Sequence, residues 1–300
     1  MAARAKEGRL RALPGIGEAT EKVVIEALAG GVPGYLAKLE EESSGSEADA
    51  AGLRLDGPAA TIRAALKGDC HTHSDWSDGG SPIEEMALAA HALGHDYVAL
   101  TDHSPRLKVA RGLSPERLRR QLELVAEMNG HLAPFRILTG IEVDILDDGT
   151  LDQEDDLLAR LDIVVASVHS KLRMDDAAMT PRMVKAARNP HTDILGHCTG
   201  RLLSGRPESS FDAPAVFAAC AESGTAVEIN CRPERLDPPK RLLRLAVAAG
   251  CEFSVDTDAH APGQLEWQPN GCRRAADCEV PLERIVNTWP ADRLLEWTRA

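Results

Sequence analysis

The sequence predicts an α/β protein whose main domain is a closed or distorted barrel of βα units. From about Pro58 onward, short apolar segments alternate with longer amphipathic segments, and polar residues follow the apolar ones. Strands that alternate with helices indicate a parallel sheet. About seven such units in one domain favour a barrel, and an open doubly wound sheet is the alternative.

The short apolar segments are the predicted strands. One precedes His71, and the others are 96–101, 136–143, 162–167, 192–196, 225–229 and 252–255. The predicted helices between them are Ser81–Leu93, Pro115–Asn129, Pro181–Arg188, Ala213–Ser223 and Pro239–Ala249. Several of them begin with Ser, Thr or Pro and end near Gly or Asn, which is typical of helix starts and stops.

Three zones divide the chain. Residues 1–40 are predicted to be helical, with a turn at Leu13–Gly17. Residues 41–66 are predicted to be a linker, because 41–57 is rich in Ser, Gly, Ala and acidic residues. Residues 67–300 are predicted to form the main domain.

The composition is that of an ordinary globular protein, with 43% hydrophobic and 27% charged residues. No apolar run is long enough to span a bilayer, and the first ten residues lack the apolar stretch of a signal peptide, so we expect a cytoplasmic protein without membrane contact. A formal net charge of −13 argues against a broad basic surface for nucleic acid, but it is compatible with a local phosphate pocket.

The seven cysteines are scattered, and none forms a C-x-x-C pair. We therefore expect buried free thiols rather than a thiolate zinc site. Cys70 and Cys198 adjoin histidines of the candidate site, so they are candidates for minor contacts behind it.

Polar residues at the carboxyl ends of the predicted strands form the candidate site. In a parallel barrel these ends converge on one rim, and imidazole with carboxylate is a ligand set for zinc, manganese or iron. A His-x-His pair on a strand directs both rings to one side. A single strand-end histidine is more often an ordinary core or loop residue, but six of the ten histidines share the same end of five strands. The set is His71, His73, Asp78, His103, Glu142, His169, His197, Asp258 and His260.

The remaining histidines lie on predicted helices or in connecting loops. For His91, His95, His131 and His191 we expect solvent exposure or ordinary packing.

These motifs together resemble the polymerase-and-histidinol-phosphatase (PHP) family. They are HTHSDWSDG, TDHS, GIEVDIL, ASVHS, GHCTGRLL, EINCRPERLD and DTDAH, in that order over nearly all of residues 68–300. The resemblance is greatest to the PHP domain at the C-terminus of bacterial family X DNA polymerases. It implies a distorted (β/α)7 barrel that holds three divalent metal ions.

The resemblance also implies the ligands of each ion. His71, His73, Glu142 and Asp258 would surround the first ion, and Glu142 would bridge to a second ion that His169 and His197 also hold. Asp78, His103 and His260 would hold the third. Asp256 departs from the family pattern, and an added acid so near the ions is expected to alter metal choice or affinity.

Such a cluster fits phosphoester hydrolysis. Two ions can lower the pKa of a bridging water and supply hydroxide, and they stabilise the charge of the phosphoryl transition state. Besides Glu142 and Asp258, the basic residues Lys108, Arg201 and Arg235 are candidates for this chemistry, because arginine suits bidentate phosphate contacts. Each is also compatible with a solvated surface charge. Lys171 and Arg232 are weaker candidates.

The segment from Leu13 to Leu28 resembles a helix-hairpin-helix motif, in which a glycine turn lets backbone N–H groups approach a DNA phosphate. A purely structural turn between two helices is the alternative. Family X polymerases carry a similar hairpin, but the polymerase catalytic region is missing between the hairpin and the PHP-like part. Polymerase activity is therefore not expected.

Three functions are compatible with these features. The first is hydrolysis of phosphoesters at DNA ends, as a 3′-phosphatase or 3′–5′ exonuclease. The second is a phosphomonoesterase for a small metabolite such as histidinol phosphate. The third is a non-catalytic DNA-binding module whose metal sites are structural. In that case Asp258→Ala would leave every activity of the protein intact. An amidohydrolase is a further rival, but the paired TDH and DAH elements fit the PHP pattern better. The sequence leaves the oligomeric state open.

Overall fold

The computed structural model describes Leu10, Glu18–Leu28 and residues 55–299. The chain divides into two compact units, Met1–Arg54 and Leu55–Ala300. In the first unit, helix α1 spans Glu18–Leu28. The predicted glycine turn at Leu13–Gly17 lies outside the described residues.

The second unit contains a parallel sheet whose seven strands follow one another in sequence order, which confirms the predicted barrel. Each strand pairs in parallel with the next. The strands are β1 Gly68–Thr72, β2 Tyr97–Leu100, β3 Arg136–Asp144, β4 Ile163–Ser167, β5 Ile194–Leu195, β6 Ala226–Asn230 and β7 Phe253–Asp256.

Helices surround the sheet and pack on it through a large apolar cluster. They are α2 Gly57–Ala65, α3 Ile83–Ala92, α4 Pro115–Leu132, α5 Asp155–Leu158, α6 Asp176–Ala187, α7 Ala213–Ser223, α8 Lys240–Ala249, α9 Gln268–Asp277 and α10 Ala291–Trp297. Short 3₁₀ turns cover Lys108–Ala110, Pro262–Trp267, Leu282–Arg284 and Val286–Thr288. Among the described residues, no helix has the length and apolar character needed to cross a bilayer.

Two helices differ from the sequence prediction. Helix α6 begins at Asp176 rather than at Pro181, because the Asp175 side chain caps it by accepting a hydrogen bond from Ala178 N. Residues 57–65, inside the range predicted as a linker, form helix α2, whose Ala59 and Ile62 are buried.

The barrel closes irregularly between β1 and β7. Residues Thr72 and Ala259 form a single bridge there. Side chains replace the rest of the ladder: Asp256 Oδ1 accepts from Cys70 N at 2.7 Å, and Asp69 Oδ2 accepts from the Thr257 hydroxyl at 2.6 Å. Asn287 Nδ2 donates to backbone carbonyls of both strands, Gly68 at 3.1 Å and Val255 at 2.8 Å. This seam is why the barrel is distorted.

Apolar side chains fill the barrel at its amino end. Tyr97, Leu138, Ile163 and Ile194 form one buried cluster with C-terminal residues that include Leu294. The C-terminal segment therefore plugs this end, and the opposite end is left for polar residues.

Candidate metal centre

The nine predicted ligands converge at the carboxyl end of the barrel. The pairing of β1 with β2 shifts register between Asp69 and Thr72, the stretch that contains His71. The rings of His71 and His73 lie side by side, with centroids 5.1 Å apart. The other residues follow the ends of different strands, as a parallel barrel requires.

Glu142, on β3, is the centre of this group and is 1% exposed. Its Oε2 atom lies 2.8 Å from His103 Nδ1, 3.4 Å from His71 Nε2 and 3.6 Å from His73 Nε2. Its Oε1 atom lies 2.8 Å from His197 Nε2 and 3.2 Å from His169 Nε2. The two oxygens thus face two sets of imidazoles.

Asp258 and Asp78 extend the group on the side of β7. Asp258 Oδ1 lies 3.3 Å from His73 Nε2 and 3.9 Å from His71 Nε2. Asp258 has φ 54, a strained value of the kind found at functional sites. Asp78 Oδ1 lies 3.4 Å from both His103 Nε2 and His260 Nε2.

The donor atoms of this group fit divalent metal ions. Buried nitrogens and oxygens are normally hydrogen-bonded, yet several ligand atoms lack such a partner among the described residues: His71 Nε2, His73 Nε2, His197 Nε2 and both Glu142 carboxylate oxygens. Metal ions satisfy donors of this kind. Four groups have donor atoms within 4.8 Å of one another: His73–Asp78–His103–His260, His71–Glu142–His197, His71–His73–Asp258 and His103–Glu142–His169.

The PHP domain profile matches residues 69–232 of this chain, the stretch that carries most of these ligands. The chain belongs to the PHP family. The motifs in the sequence had indicated this family, and the match confirms it.

Named PHP relatives differ in length. The chain is 40% identical over 222 residues to the DNA polymerase/3′-5′ exonuclease PolX of Bacillus subtilis, a match that covers 74% of this chain but 39% of PolX. It is 31% identical over 231 residues to a probable phosphatase of Thermoanaerobacter sp., covering 73% of this chain and 89% of that protein. A crystal structure of a histidinol phosphate phosphatase from Lactococcus lactis aligns over 71% of this chain and 92% of that one, with 18% identity and a TM-score of 0.49.

Two acidic residues that were not among the sequence predictions contact the predicted ligands on the side away from Glu142. Glu228 Oε1 lies 2.6 Å from His71 Nδ1, and its Oε2 accepts from His197 N at 2.5 Å. Asp144 Oδ1 lies 2.8 Å from His169 Nδ1. A carboxylate behind an imidazole fixes the tautomer and turns the other nitrogen toward the metal. The sequence contained a signal for Asp144: side chains alternate between the two faces of a strand, and Glu142 and Asp144 are two residues apart on β3, so they share a face.

Asp102 organises the loop that carries His73 and Asp78. Its carboxylate accepts hydrogen bonds from Ser74 Oγ at 2.6 Å, Ser77 Oγ at 2.5 Å and Gln121 Nε2 at 2.7 Å. The acid of the TDH motif is thus a loop anchor.

Burial and mutual charge set the protonation of the centre. Burial alone raises the pKa of Glu142, but His169 and His71 outweigh it and hold the pKa well below the usual range. Asp258 follows the same pattern, with burial outweighed by His71 and Arg235. Burial, reinforced by His260, keeps the pKa of His73 well below the usual range. Neighbouring carboxylates instead outweigh burial at His71 and His169, raising the pKa of His71 well above its usual range and that of His169 to about 9. These two imidazoles therefore lose a proton when a metal ion binds, since the neutral imidazole is the ligand form.

Of the predicted basic residues, Arg235 contacts a predicted ligand. Its Nε lies 3.1 Å from Asp258 Oδ2, and its buried Nη1 has no hydrogen-bond partner among the described residues. Arg201 instead donates to backbone carbonyls, with Nε 2.9 Å from Arg235 O and Nη2 bonded to Leu236 O. Lys108 is exposed on a 3₁₀ turn.

The weaker candidates pair with acids nearby. Lys171 Nζ lies 2.6 Å from Asp147 Oδ2, and Arg232 Nε lies 3.4 Å from Glu234 Oε2.

Asp256, Cys70 and Cys198 lie near the predicted ligands in the sequence but are not part of their group. Burial, reinforced by Asp69, raises the pKa of Asp256 well above the usual range, and its Oδ1 accepts the hydrogen bond from Cys70 N across the β1–β7 seam. Cys70 belongs to the apolar cluster inside the barrel, and Cys198 Sγ lies 3.8 Å from Asp237 Oδ1.

Proposed function

We propose that this chain is a metal-dependent phosphoesterase that hydrolyses phosphate esters at DNA ends, as a 3′-phosphatase or 3′–5′ exonuclease. The observation that carries the proposal is the Glu142 carboxylate, whose two buried oxygens face five imidazoles and accept no hydrogen bond among the described residues. A buried carboxylate in that setting is explained by metal ions between the donors.

In this proposal the PHP ligands hold three ions of zinc, manganese or iron. His71, His73, Glu142 and Asp258 hold the first, Glu142, His169 and His197 the second, and Asp78, His103 and His260 the third. Such ions, when bound, supply a water of lowered pKa and positive charge opposite the phosphoryl oxygens.

The chain's own residues complete the site. Arg235 stays charged, because Asp258 and Glu142 outweigh the effect of burial and raise its pKa. Its unpartnered Nη1 is a donor for a phosphoryl oxygen. Glu228 and Asp144 hold His71 and His169 in place, so the ligand geometry is fixed before the substrate arrives.

Sequence identity favours a DNA end as the substrate. It is 40% with PolX, whose name includes a 3′-5′ exonuclease, and 31% with the Thermoanaerobacter probable phosphatase. The shared length favours a second candidate, a small phosphomonoester such as histidinol phosphate: the chain covers 89% of that phosphatase but only 39% of PolX.

A metal add-back assay tests the proposal. Protein stripped with a chelator is reloaded with Mn²⁺ or Zn²⁺ and given 3′-phosphorylated oligonucleotide, oligonucleotide with a 3′-hydroxyl, or histidinol phosphate. We expect metal-dependent release of phosphate or nucleotide from the DNA, and none from Glu142→Gln. Turnover of histidinol phosphate alone would refute the DNA substrate, and metal-independent turnover would refute the metal-dependent mechanism.

A further inference from the structure

A groove of about 520 Å³ lies between two loops at the carboxyl end of the barrel, the end that carries the metal centre. One wall is the loop after β4, and the other is the loop after β5. Its charged lining residues are Lys171, Arg173, Arg206 and Glu208, and Leu172 and Met174 supply apolar surface.

Both walls continue directly from metal ligands. Lys171 follows His169 by two residues, and Gly200 follows His197 by three. Arg206 Nε donates to Gly200 O at 2.6 Å, which fixes the position of the guanidinium group. Gly200 has φ 60, and a Cβ atom there would lie 2.7 Å from Leu172 Cδ2, so glycine lets the two loops touch. The groove therefore lies between the two loops that also carry His169 and His197.

The charge of the groove is opposite to that of the protein. The chain carries −13 overall, yet the groove presents three cations against one carboxylate. That carboxylate, Glu208, is already paired with Arg201 at 3.4 Å and with Arg241. Lys171 is paired with Asp147, which leaves Arg173 and Arg206 as the cations available to a ligand. Among the described residues, the side chain of Arg173 makes no hydrogen bond or ion pair.

Hydrogen bonds connect Arg206 to Arg235 at the metal centre. Arg206 Nε donates to Gly200 O, and the residue after Gly200, Arg201, donates from its own Nε to Arg235 O at 2.9 Å. Cationic side chains thus follow one another from Arg235 at the centre to Arg206 and Arg173 along the groove.

We propose that this groove binds the phosphodiester group next to the terminal phosphate of a DNA strand. The inference rests on the proposed function, in which the metal centre takes the terminal group. Arg173 and Arg206 contact the neighbouring phosphate, and Leu172 and Met174 contact the attached sugar or base. A small bisphosphate offers the same charge pattern without the nucleoside, so the test includes one.

The test compares substrates on the metal-loaded protein. The value of kcat/KM is measured for a trinucleotide 3′-phosphate, thymidine 3′-phosphate, thymidine 3′,5′-bisphosphate and p-nitrophenyl phosphate. We expect the trinucleotide to exceed thymidine 3′-phosphate, and this preference to shrink as salt rises from about 50 to about 200 mM. In Arg173→Glu the ratio of the two values should fall by about fivefold or more.

The matched control is Arg160→Glu, at the amino end of the barrel. Arg160 is exposed like Arg173 and precedes β4 instead of following it, so its reversal should leave the ratio unchanged. An unchanged ratio in Arg173→Glu, or an equal fall in Arg160→Glu, would refute the proposal that the groove binds a phosphodiester group. The phosphoesterase proposal would then still stand. A preference for the bisphosphate over the trinucleotide would overturn the DNA occupant. Turnover of p-nitrophenyl phosphate with none of the nucleotides would instead overturn the proposed function.

Discussion

The two ends of the barrel use the same strands for opposite purposes. At the amino end, Tyr97 on β2 and Leu138 on β3 pack in a fully buried apolar cluster. At the carboxyl end, β3 continues to Glu142, whose carboxylate is equally buried but ionised. Side chains that share one strand and one face of it thus change from apolar to charged within four residues.

The histidines show the same contrast. His71 has a carboxylate, Glu228, 2.6 Å from one nitrogen and Glu142 facing the other. His95, just before β2 at the amino end, is 3% exposed, and neither nitrogen has a hydrogen-bond partner among the described residues. The acids around His71 outweigh burial and raise its pKa, whereas burial lowers the pKa of His95, which lacks such partners. Stability and chemistry are therefore separable by position along the strands.

The largest effect on activity is expected from a substitution of Glu142. In Glu142→Gln we expect kcat/KM for the 3′-phosphorylated oligonucleotide to fall about a thousandfold or more, because losing metal charge stabilisation costs several kcal/mol. Phosphate release and metal content by mass spectrometry measure this.

The matched change at the amino end is Tyr97→Phe. It removes a hydrogen bond of 3.1 Å to Trp289 O, which should cost about 1 kcal/mol of unfolding free energy and leave kcat/KM unchanged. Loss of activity in this variant would contradict the separation of the two ends.

The next effect concerns Arg235. Arg235→Ala should lower kcat/KM about a hundredfold at constant metal content, since one buried donor to the phosphoryl group is lost. Arg235→Lys should recover part of it, because the charge remains but the planar fork does not. Steady-state kinetics with metal analysis check this, and a variant that loses metal in proportion to activity would show that Arg235 holds Asp258 rather than the substrate.

The sequence predicted the barrel and its strands because a buried parallel strand is a short apolar run between turn residues. Each observed strand lies within two residues of a predicted one or, for β1, at His71. Helix α6 was placed too late, since Pro181 looked like a helix start and the stronger signal, the cap by Asp175, was overlooked. Helix α2 was hidden by the Ser- and Gly-rich segment before it.

The residues that contact the predicted ligands from behind were harder to predict than the convergence of the nine side chains. Glu228 and Asp144 are acids on strands, and the sequence does not tell which imidazole nitrogen such an acid faces. Arg201 shows the opposite problem: a basic residue in a family-like segment suggested a phosphate contact, but its guanidinium holds the carbonyls of Arg235 and Leu236. Residue type was visible in the sequence, whereas hydrogen-bond direction was not.

A smaller effect is expected for Glu228→Gln. The amide can still accept a hydrogen bond from His71 Nδ1, but it lacks the negative charge that raises the basicity of this imidazole as a ligand, so metal affinity should fall about 10- to 100-fold. Competition with a chromophoric chelator measures this, and activity should return at saturating metal. Unchanged affinity, or activity that excess metal does not restore, would exclude this role.

The last effect has no consequence for activity near neutral pH: it is the acid sensitivity of stability due to His95 at the amino end. Burial, followed by the charge of Arg63, lowers the pKa of His95 from 6.5 to about 4. As the pH falls from 6.5 to about 4, His95 is protonated in the unfolded chain but stays neutral in the folded chain. The free energy of unfolding therefore decreases by up to about 3 kcal/mol relative to its value above pH 6.5. His95→Leu should remove this loss, and His91→Leu, at an exposed position on α3, should retain it. Urea unfolding at several pH values with the same metal concentration measures the difference. Parallel stability curves for His95→Leu and the unmodified protein would mean that this histidine is not held neutral, and the contrast between the two ends would then rest on the metal centre alone.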